Sequence, residues 1–548
     1  MSGRKKKRNS NFIVQGGILA IAGLITRIIG LLYRIPVTNI IGDKGNGYYS
    51  SAYYVYNIML LISSYSLPLA ISKIVSARLS KEEYKNSSKV FHGGIIFAFI
   101  SGGLVCIAVF FGADLFAGLL KEPLSAIALR IFAPTLLVVA IMGVIRGYFQ
   151  GMGTMVPTAV SQIIEQIVNA VISILAAKYL YDYGKKVAAL LKNENYAPAY
   201  GAAGSTLGTS LGAAAALVFL IILLIMISGR LHHQNAQDET RRTESYSDVF
   251  RVIILTVMPV ILSTAVYNLN DILDNIIFNN IMTGKGYEAE KTAIWGIYTG
   301  KAKLLLNVPI ALANAMSASA VPTLSACIAS DNIRGARKKI SVAMRFTMII
   351  SFPCAVGLFV LAEPIVKMLF TGDPKMAASM IRAGAISVVF YSISTLSNGM
   401  LQGINKMKIP VRNAAVSLAV HLVLLYVFMD KFNMGIYAVI LSAIIFALMM
   451  SVLNGLSLKK YLKYRQEMAM TFIVPALSSV AMGVIIFVLY HIFSLILGNI
   501  ISTVISIIAG IFVYFICILR LKGVREDEMY EMPMGTRLVR AAKKMNLM

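Results

Sequence analysis

Apolar runs divide the chain into fourteen stretches, each near the ~20 residues that a helix needs to cross a bilayer. They cover residues 12–41, 48–77, 88–111, 126–149, 156–180, 202–227, 252–281, 293–328, 342–362, 376–400, 409–428, 437–456, 471–493 and 497–519. Short charged turns separate them. In lipid, every backbone polar group must be satisfied within its own segment, so the pattern predicts an all-α polytopic membrane protein. Six spans make an N-lobe over 12–228 and six a C-lobe over 249–456, joined by a polar cytoplasmic linker at 229–248. Two further spans follow at 457–519, and basic segments at 1–11 and 520–548 close the chain.

The two halves share a pattern. Residues 146–157 end one apolar run, turn, and restart another after a proline, and residues 398–410 do the same. Gln150-Gly151 matches Gln402-Gly403, and Arg130 and Arg382 each lie 20 residues ahead of those glutamines. Residues 66–72 likewise resemble 307–313. Gly and Pro at such places suit a tight turn between helices. Six is an even number, so both lobes enter the membrane in the same sense. Such parallel repeats usually hold their substrate between them, near the midplane of a central cavity.

Composition then refines the picture. The chain has 51 Lys and Arg against 25 Asp and Glu, a formal charge of +26. In a soluble protein that excess would suggest nucleic acid as a partner. Here the charge is sorted instead: with the N-terminus inside, 33 basic residues fall on the inner side and 11 on the outer. The positive-inside rule therefore predicts cytoplasmic N- and C-termini in a plasma membrane, and no nucleic acid. Such an inner surface also attracts anionic membrane lipids. Lys185, Lys186 and Lys192 go against the bias, in the longest outer loop, which is expected to carry a surface helix. The first apolar run is too long for a signal peptide and is expected to stay as helix one. Four scattered cysteines form neither metal spacing nor an expected disulfide, and His232-His233 lacks a third ligand. The linker that carries those histidines is expected to be a solvated joint, and residues 537–548 an amphipathic turn at the lipid surface.

An ionisable group at bilayer depth costs ~2.5–3.5 kcal/mol even on the gentler scale, so each one needs a reason. Arg27 and Arg34 lie seven residues apart, close to two turns, and share a helix face. Arg27 is too deep to snorkel easily, so it is expected either to meet an anion or to partner Glu165 or a neighbouring carbonyl. Lys301 and Lys303, two apart, point to opposite sides, so at most one faces a given cavity, with Lys303 slightly favoured. Arg130 and Arg382, near span ends, are expected to snorkel. Gln162, Glu165, Gln166 and Asn169 form an i, i+3, i+4, i+7 stripe, a substrate surface or an interhelical seam. Asp271 and Asn275 share a face with Asp274 beside it, a set able to hold Na⁺ or a proton, or to pair with a lysine. Gly201, Gly204, Gly208 and Gly212 mark close helix packing. No phosphate loop, HExxH or nucleophile elbow is present, so no catalytic residue, cofactor or resident metal is expected.

Several short motifs occur in order. They are Thr26-Arg27 with Gly30, Ile41-Gly42 before a Tyr-rich span, Pro309, residues 321–325 (Val-Pro-Thr-Leu-Ser), and the two Gln-Gly turns. In these the chain resembles the multidrug/oligosaccharidyl-lipid/polysaccharide (MOP) exporter superfamily. The branch it most resembles is that of the MurJ-like lipid II flippases and the stage V sporulation protein B group, and the resemblance covers nearly the whole chain. It implies a flippase, not an enzyme, moving an undecaprenyl-pyrophosphate-linked saccharide from the inner to the outer leaflet of a bacterial membrane by alternating access. It implies coupling to an ion or to membrane potential, and a role in peptidoglycan, cell-wall or spore assembly. The cavity arginine carries over to Arg27, and the Na⁺-binding carboxylate to Asp274. A second arginine of that branch falls on Tyr33, beside Arg34, and a span-eight arginine falls near Leu304, where this chain has Lys303. A third has no basic match. The expected species is a monomer, working with the cell-wall synthesis machinery. Two alternatives stand beside it: a multidrug cation antiporter of the same superfamily, which would need an acidic cavity, and a membrane sugar polymerase or ligase, which would need a large outer loop.

Overall fold

The computed structural model describes the backbone of residues 2–238, 240, 243–524, 536, 539 and 540. Of these, the side chains of 2–17, 20, 259, 260 and 262–267 are not described. The described residues contain helices and turns and no strand. They form two compact units, Met1–Gly296 and Ile297–Met548.

The first unit holds α1 (Ser2–Ser63), α2 (Leu67–Leu79), α3 (Tyr84–Leu119), α4 (Ser125–Gly151), α5 (Val156–Leu191), α6 (Tyr196–Ala236), α7 (Tyr246–Gly284) and most of α8 (Glu288–Ile297). The second opens on a π-helical segment (Tyr298–Ala302) that runs into α9 (Lys303–Ala329). It continues with α10 (Ile333–Val360), α11 (Ala362–Leu369), α12 (Pro374–Gly384), α13 (Ser387–Gly403), α14 (Lys408–Asp430), α15 (Ile436–Leu462) and α16 (Val474–Arg520). A second π-helical segment, Ala469–Ile473, leads into α16. Among the described residues, ten helical stretches are long and apolar enough to cross a membrane, or eleven if one bent pair is a single span. The chain is thus a multi-pass membrane protein.

Two of those stretches are too long for one straight crossing. Ile21–Leu79 has 59 residues and Ala469–Arg520 has 52. At 1.5 Å per residue each exceeds ~75 Å, against a hydrocarbon core of ~30 Å. Each is turned at a glycine: Gly42 at φ 68°, ψ −175°, and Gly498 at φ 72°, ψ 171°. That backbone region is open to glycine alone. Nothing lies within 4 Å of a Cβ built on Gly498, so space is no obstacle there. Gly498→Ala is therefore expected to destabilise the fold by about 1–3 kcal/mol through strain alone, read as a lower midpoint of thermal unfolding in detergent.

The structure moves several expected boundaries. The second run breaks at Ser64–Ser66, where Pro68 starts a new helix. The run at 376–400 splits into α12 and α13, bent by 49°. Residues 181–191 are no separate surface helix. They continue α5, because Gly184 lets the helix stay against α6: its Cβ would lie 2.9 Å from the Ala197 Cα. Most described residues of the stretch 229–248 are exposed, with one anchor point. It is helical to Ala236, and then Asp238, 7% exposed, docks on the α2–α3 turn. The Asp238 carboxylate accepts the Lys85 backbone N–H at 2.5 Å and the Thr240 N–H at 2.7 Å. Arg78 pairs with Glu244, and Asn86 accepts the Glu244 N–H at 2.9 Å. Lys85, Arg78 and Asn86 thus tie the end of this segment to the α2–α3 turn. His233 closes the end of α6, its Nε2 3.1 Å from Gln237 Nε2. The expected turn at 537–548 lies outside the described residues apart from Val539 and Arg540.

The repeated stretch does one job in each unit. A methyl on Gly147 would lie 2.7 Å from the Pro68 carbonyl oxygen, and one on Gly151 2.7 Å from Val75 Cβ. On α13, Gly399 would meet Ser317 Oγ at 2.0 Å and Gly403 the Leu324 Cβ at 3.0 Å. Each i, i+4 glycine pair thus seats its helix closely on a neighbour, α4 on α2 and α13 on α9. The partners this packing brings into register are 68–75 and 317–324, not 66–72 and 307–313. The matched arginines are also placed alike. Arg130 pairs with Asp114, and Arg382 with Glu363 at 3.6 Å, and both arginine side chains stay exposed.

Candidate functional site

α1 and α5 bring the polar residues of the first unit together. Gly30 lies between Arg27 and Arg34 on the α1 face, and its Cβ would sit 3.9 Å from Gln166 Oε1 on α5. One turn on, Asn169 Nδ2 donates to the Tyr33 hydroxyl at 3.2 Å. The Arg34 guanidinium, half-buried, sits over the Tyr49 ring, 5.0 Å from its centroid. An arginine against an aromatic face keeps its charge with less water than it would otherwise need. Arg27 is exposed, about 10 Å down the same face. Gln162, Glu165 and Gln166 are half-buried and Asn169 is buried.

Glu165 has a partner that the sequence did not reveal. Arg146 Nη2 donates to it at 2.8 Å, and Arg146 Nε donates to Ser161 Oγ at 2.9 Å. Arg146 is the arginine of the repeated stretch, at the C-terminal end of α4. Its nineteen-residue separation from Glu165 hides the pair from any reading of helical spacing. Below it, Gln150 Nε2 donates to Thr158 Oγ1 at 3.3 Å across the same turn.

On α7, Asp271 is half-buried and Asp274 buried, with Asn270 Nδ2 donating to Asp274 Oδ2 at 3.4 Å. Asn275 is fully buried. Its Oδ1 accepts from Ser51 Oγ at 3.5 Å and from Asn279 Nδ2 at 3.3 Å. Asn279 Nδ2 also donates to the Leu120 carbonyl at 3.0 Å. The amides therefore fasten α7 to α1 and to the α3–α4 turn. Among the described residues, no group of three His, Cys, Asp or Glu could hold a metal ion.

In the second unit, Lys301 is buried in the π-helical segment, and its Nζ donates to the Thr371 carbonyl at 3.2 Å. Lys303, half-buried, opens α9 just beyond. A π-turn closes on i+5 and shifts the angular register, so spacing on a regular α-helix does not carry through this point. Sequence reasoning missed the π-turn, Arg146, and a polar cluster at Glu122, Lys291 and Thr292. These depend on contacts between distant segments, for which local pattern carries no signal.

Long apolar helices and glycine-seated repeats define a class of multi-pass helical membrane proteins. Comparison with known proteins places the chain within that class. The profile of the polysaccharide biosynthesis protein family matches residues 14–328, and that of the MatE family matches residues 259–427. The chain belongs to the polysaccharide biosynthesis protein family. It is 27% identical over 420 residues to the lipid II flippase MurJ of Bacillus subtilis, covering 74% of this chain and 75% of the relative. It is 24% identical over 533 residues to stage V sporulation protein B of the same organism, covering 95% and 98%. Among solved structures, the inward closed conformation of lipid II flippase MurJ superposes with a TM-score of 0.67 at 17% identity, over 91% of this chain and 97% of that one. An inward-facing multidrug MATE transporter gives 0.65 at 16% identity, over 81% and 98%.

Proposed function

We propose that this protein is a flippase that carries an undecaprenyl-pyrophosphate-linked saccharide from the inner to the outer leaflet of a bacterial plasma membrane. What supports the reading is the basic face of α1, Arg27 and Arg34, which the sequence puts at bilayer depth, beside the polar stripe of α5. Positive charge kept at that depth fits an anionic headgroup, and its attraction strengthens as the surroundings lose water. The names of the relatives support the substrate class.

In this reading the chain crosses the membrane fourteen times, with both termini cytoplasmic and two six-helix lobes alternating around a cavity. The glycine turns at 42 and 498, in helices too long for one crossing, support a count above the ten or eleven apolar stretches. Arg27 and Arg34 receive the pyrophosphate, while Gln162 and Glu165 contact the sugar. Asp271, Asp274 and Asn275 couple the cycle to Na⁺ or H⁺. The protein acts as a monomer beside the cell-wall synthesis machinery. A cation antiporter is the second reading, favoured by the likeness to multidrug transporters. The basic face of α1 weighs against it.

The test is reconstitution into vesicles with a fluorescent undecaprenyl-pyrophosphate saccharide. Transfer to the outer leaflet well above that of empty vesicles is expected. Transfer at the empty-vesicle rate, together with proton-driven uptake of a cationic dye, would replace this reading with the antiporter.

A further inference from the structure

The α3–α4 turn carries a buried carboxylate that the α1–α5 site does not use. Glu122 is 3% exposed. Thr292 Oγ1, on α8, lies 2.7 and 2.9 Å from its two oxygens. The same threonine is wedged against α1. A methyl on Gly47 would lie 2.2 Å from the Thr292 carbonyl oxygen, and one on Gly296 1.8 Å from the Asp43 carbonyl oxygen. Lys291, beside it, donates to the Lys121 carbonyl and, at 2.9 Å, to Thr283 Oγ1. Asn279 caps the Leu120 carbonyl. Trp295, the chain's single tryptophan, closes the cluster between Tyr54 and Phe278. Three segments far apart in sequence thus meet at one acid group.

We propose that Glu122 is a proton-binding site, and that proton occupancy sets how firmly the start of α8 is clasped to α1 and the α3–α4 turn. The physical reason is the poor solvation of the ionised form. Thr292 offers the carboxylate one hydroxyl, and the Lys291 ammonium is spent on a carbonyl and a second hydroxyl. Glu288 on α8 adds a like charge. Tyr48 on α1 and Lys121 on the turn itself also lie beside it, and Asp43 on α1, whose backbone meets Gly296, is a further titratable group at the clasp. The facing α7 residues, Asn279 and Thr283, do not titrate. Burial pushes the Glu122 carboxyl up to about 7, with the Thr292 hydrogen bond and Lys291 pulling it back and Glu288 raising it.

The direction follows from linkage. In an open clasp Glu122 meets water and returns to the ordinary glutamate range, so the closed clasp binds the proton more tightly. Closure is strongest in acid, weakens as pH rises towards about 7, and is flat above that. Across that window the closing equilibrium falls on the order of a hundredfold. The clasp is argued from packing and stands apart from any assignment of substrate.

The experiment is amide hydrogen exchange on the full-length protein in nanodiscs from pH 5 to pH 8, corrected for intrinsic exchange rates. Peptides covering 117–126 and 288–296 are expected to lose protection by roughly a hundredfold as pH rises, while peptides over 436–462 stay unchanged. In Glu122→Gln, which keeps the shape and cannot ionise, protection should stay at the acid level throughout. Thr292→Val should lower protection in these peptides at every pH. Wild-type protection that is flat with pH, or the same pH dependence in Glu122→Gln, overturns the proposal.

Discussion

Gly204→Val is expected to cost about 3 kcal/mol of stability or more, enough to leave little folded protein after detergent extraction. A Cβ on Gly204 would lie 2.3 Å from the Ala176 carbonyl oxygen, 2.6 Å from its carbon and 2.7 Å from the Ala177 Cα. All three are backbone atoms, so no side-chain rotation can relieve the clash. The helices must part. Parting them breaks the hydrogen bond from Ser173 Oγ to the Ser205 carbonyl, now 3.0 Å. It also lifts Gly212 off the Glu165 carbonyl oxygen, where a Cβ would stand at 2.6 Å. Gly103→Ala is the control, because nothing lies within 4 Å of that Cβ. It should leave stability unchanged or raise it by up to about 1 kcal/mol. Thermal unfolding followed by size-exclusion chromatography reads both, and a valine variant as stable as wild type would refute the seam.

Arg27→Ala is expected to slow reconstituted flipping roughly 10- to 100-fold with no change in unfolding midpoint. A charge-assisted hydrogen bond to a phosphate oxygen is worth about 1.5–3 kcal/mol, which gives that range. Arg27 is exposed, so its truncation opens no cavity in the packed core. Arg27→Lys keeps the charge and loses the bidentate fork, so it should fall between the two. A wild-type rate in the alanine variant would remove Arg27 from the anion site and leave Arg34, over Tyr49, as its centre.

The apolar runs and the repeated Gln-Gly turns are visible in sequence because lipid imposes length and glycine imposes close approach. Gly201, Gly204, Gly208 and Gly212 are legible for the same reason. The α1 face is legible too, since a seven-residue spacing fixes a helix face whatever the surroundings. The breaks are less so. Pro68 begins a new helix, whereas Pro134 lies inside α4 and Pro36 inside α1, so proline alone does not announce an interruption. The π-turn at Tyr298–Ala302 has no compositional signature. Glu122 looks like any acid in a turn, because its burial is supplied by residues some 170 positions later. The same holds for Asp238, whose polarity suggested solvent while Lys85 waited across the fold.

The α5–α6 hairpin has a practical use. With 36 residues, α5 is about 54 Å long, and no usual tilt hides that length within ~30 Å of hydrocarbon. Its tip stays tightly seated at Gly184 while Lys186, Leu190 and Asn193 remain uncovered. A rigid helical fusion spliced at Asn193 would give electron microscopists a fiducial that rotates with the helices beneath it. A protease-cleavable tag at the same position would report, in sealed spheroplasts, which side of the envelope that tip occupies.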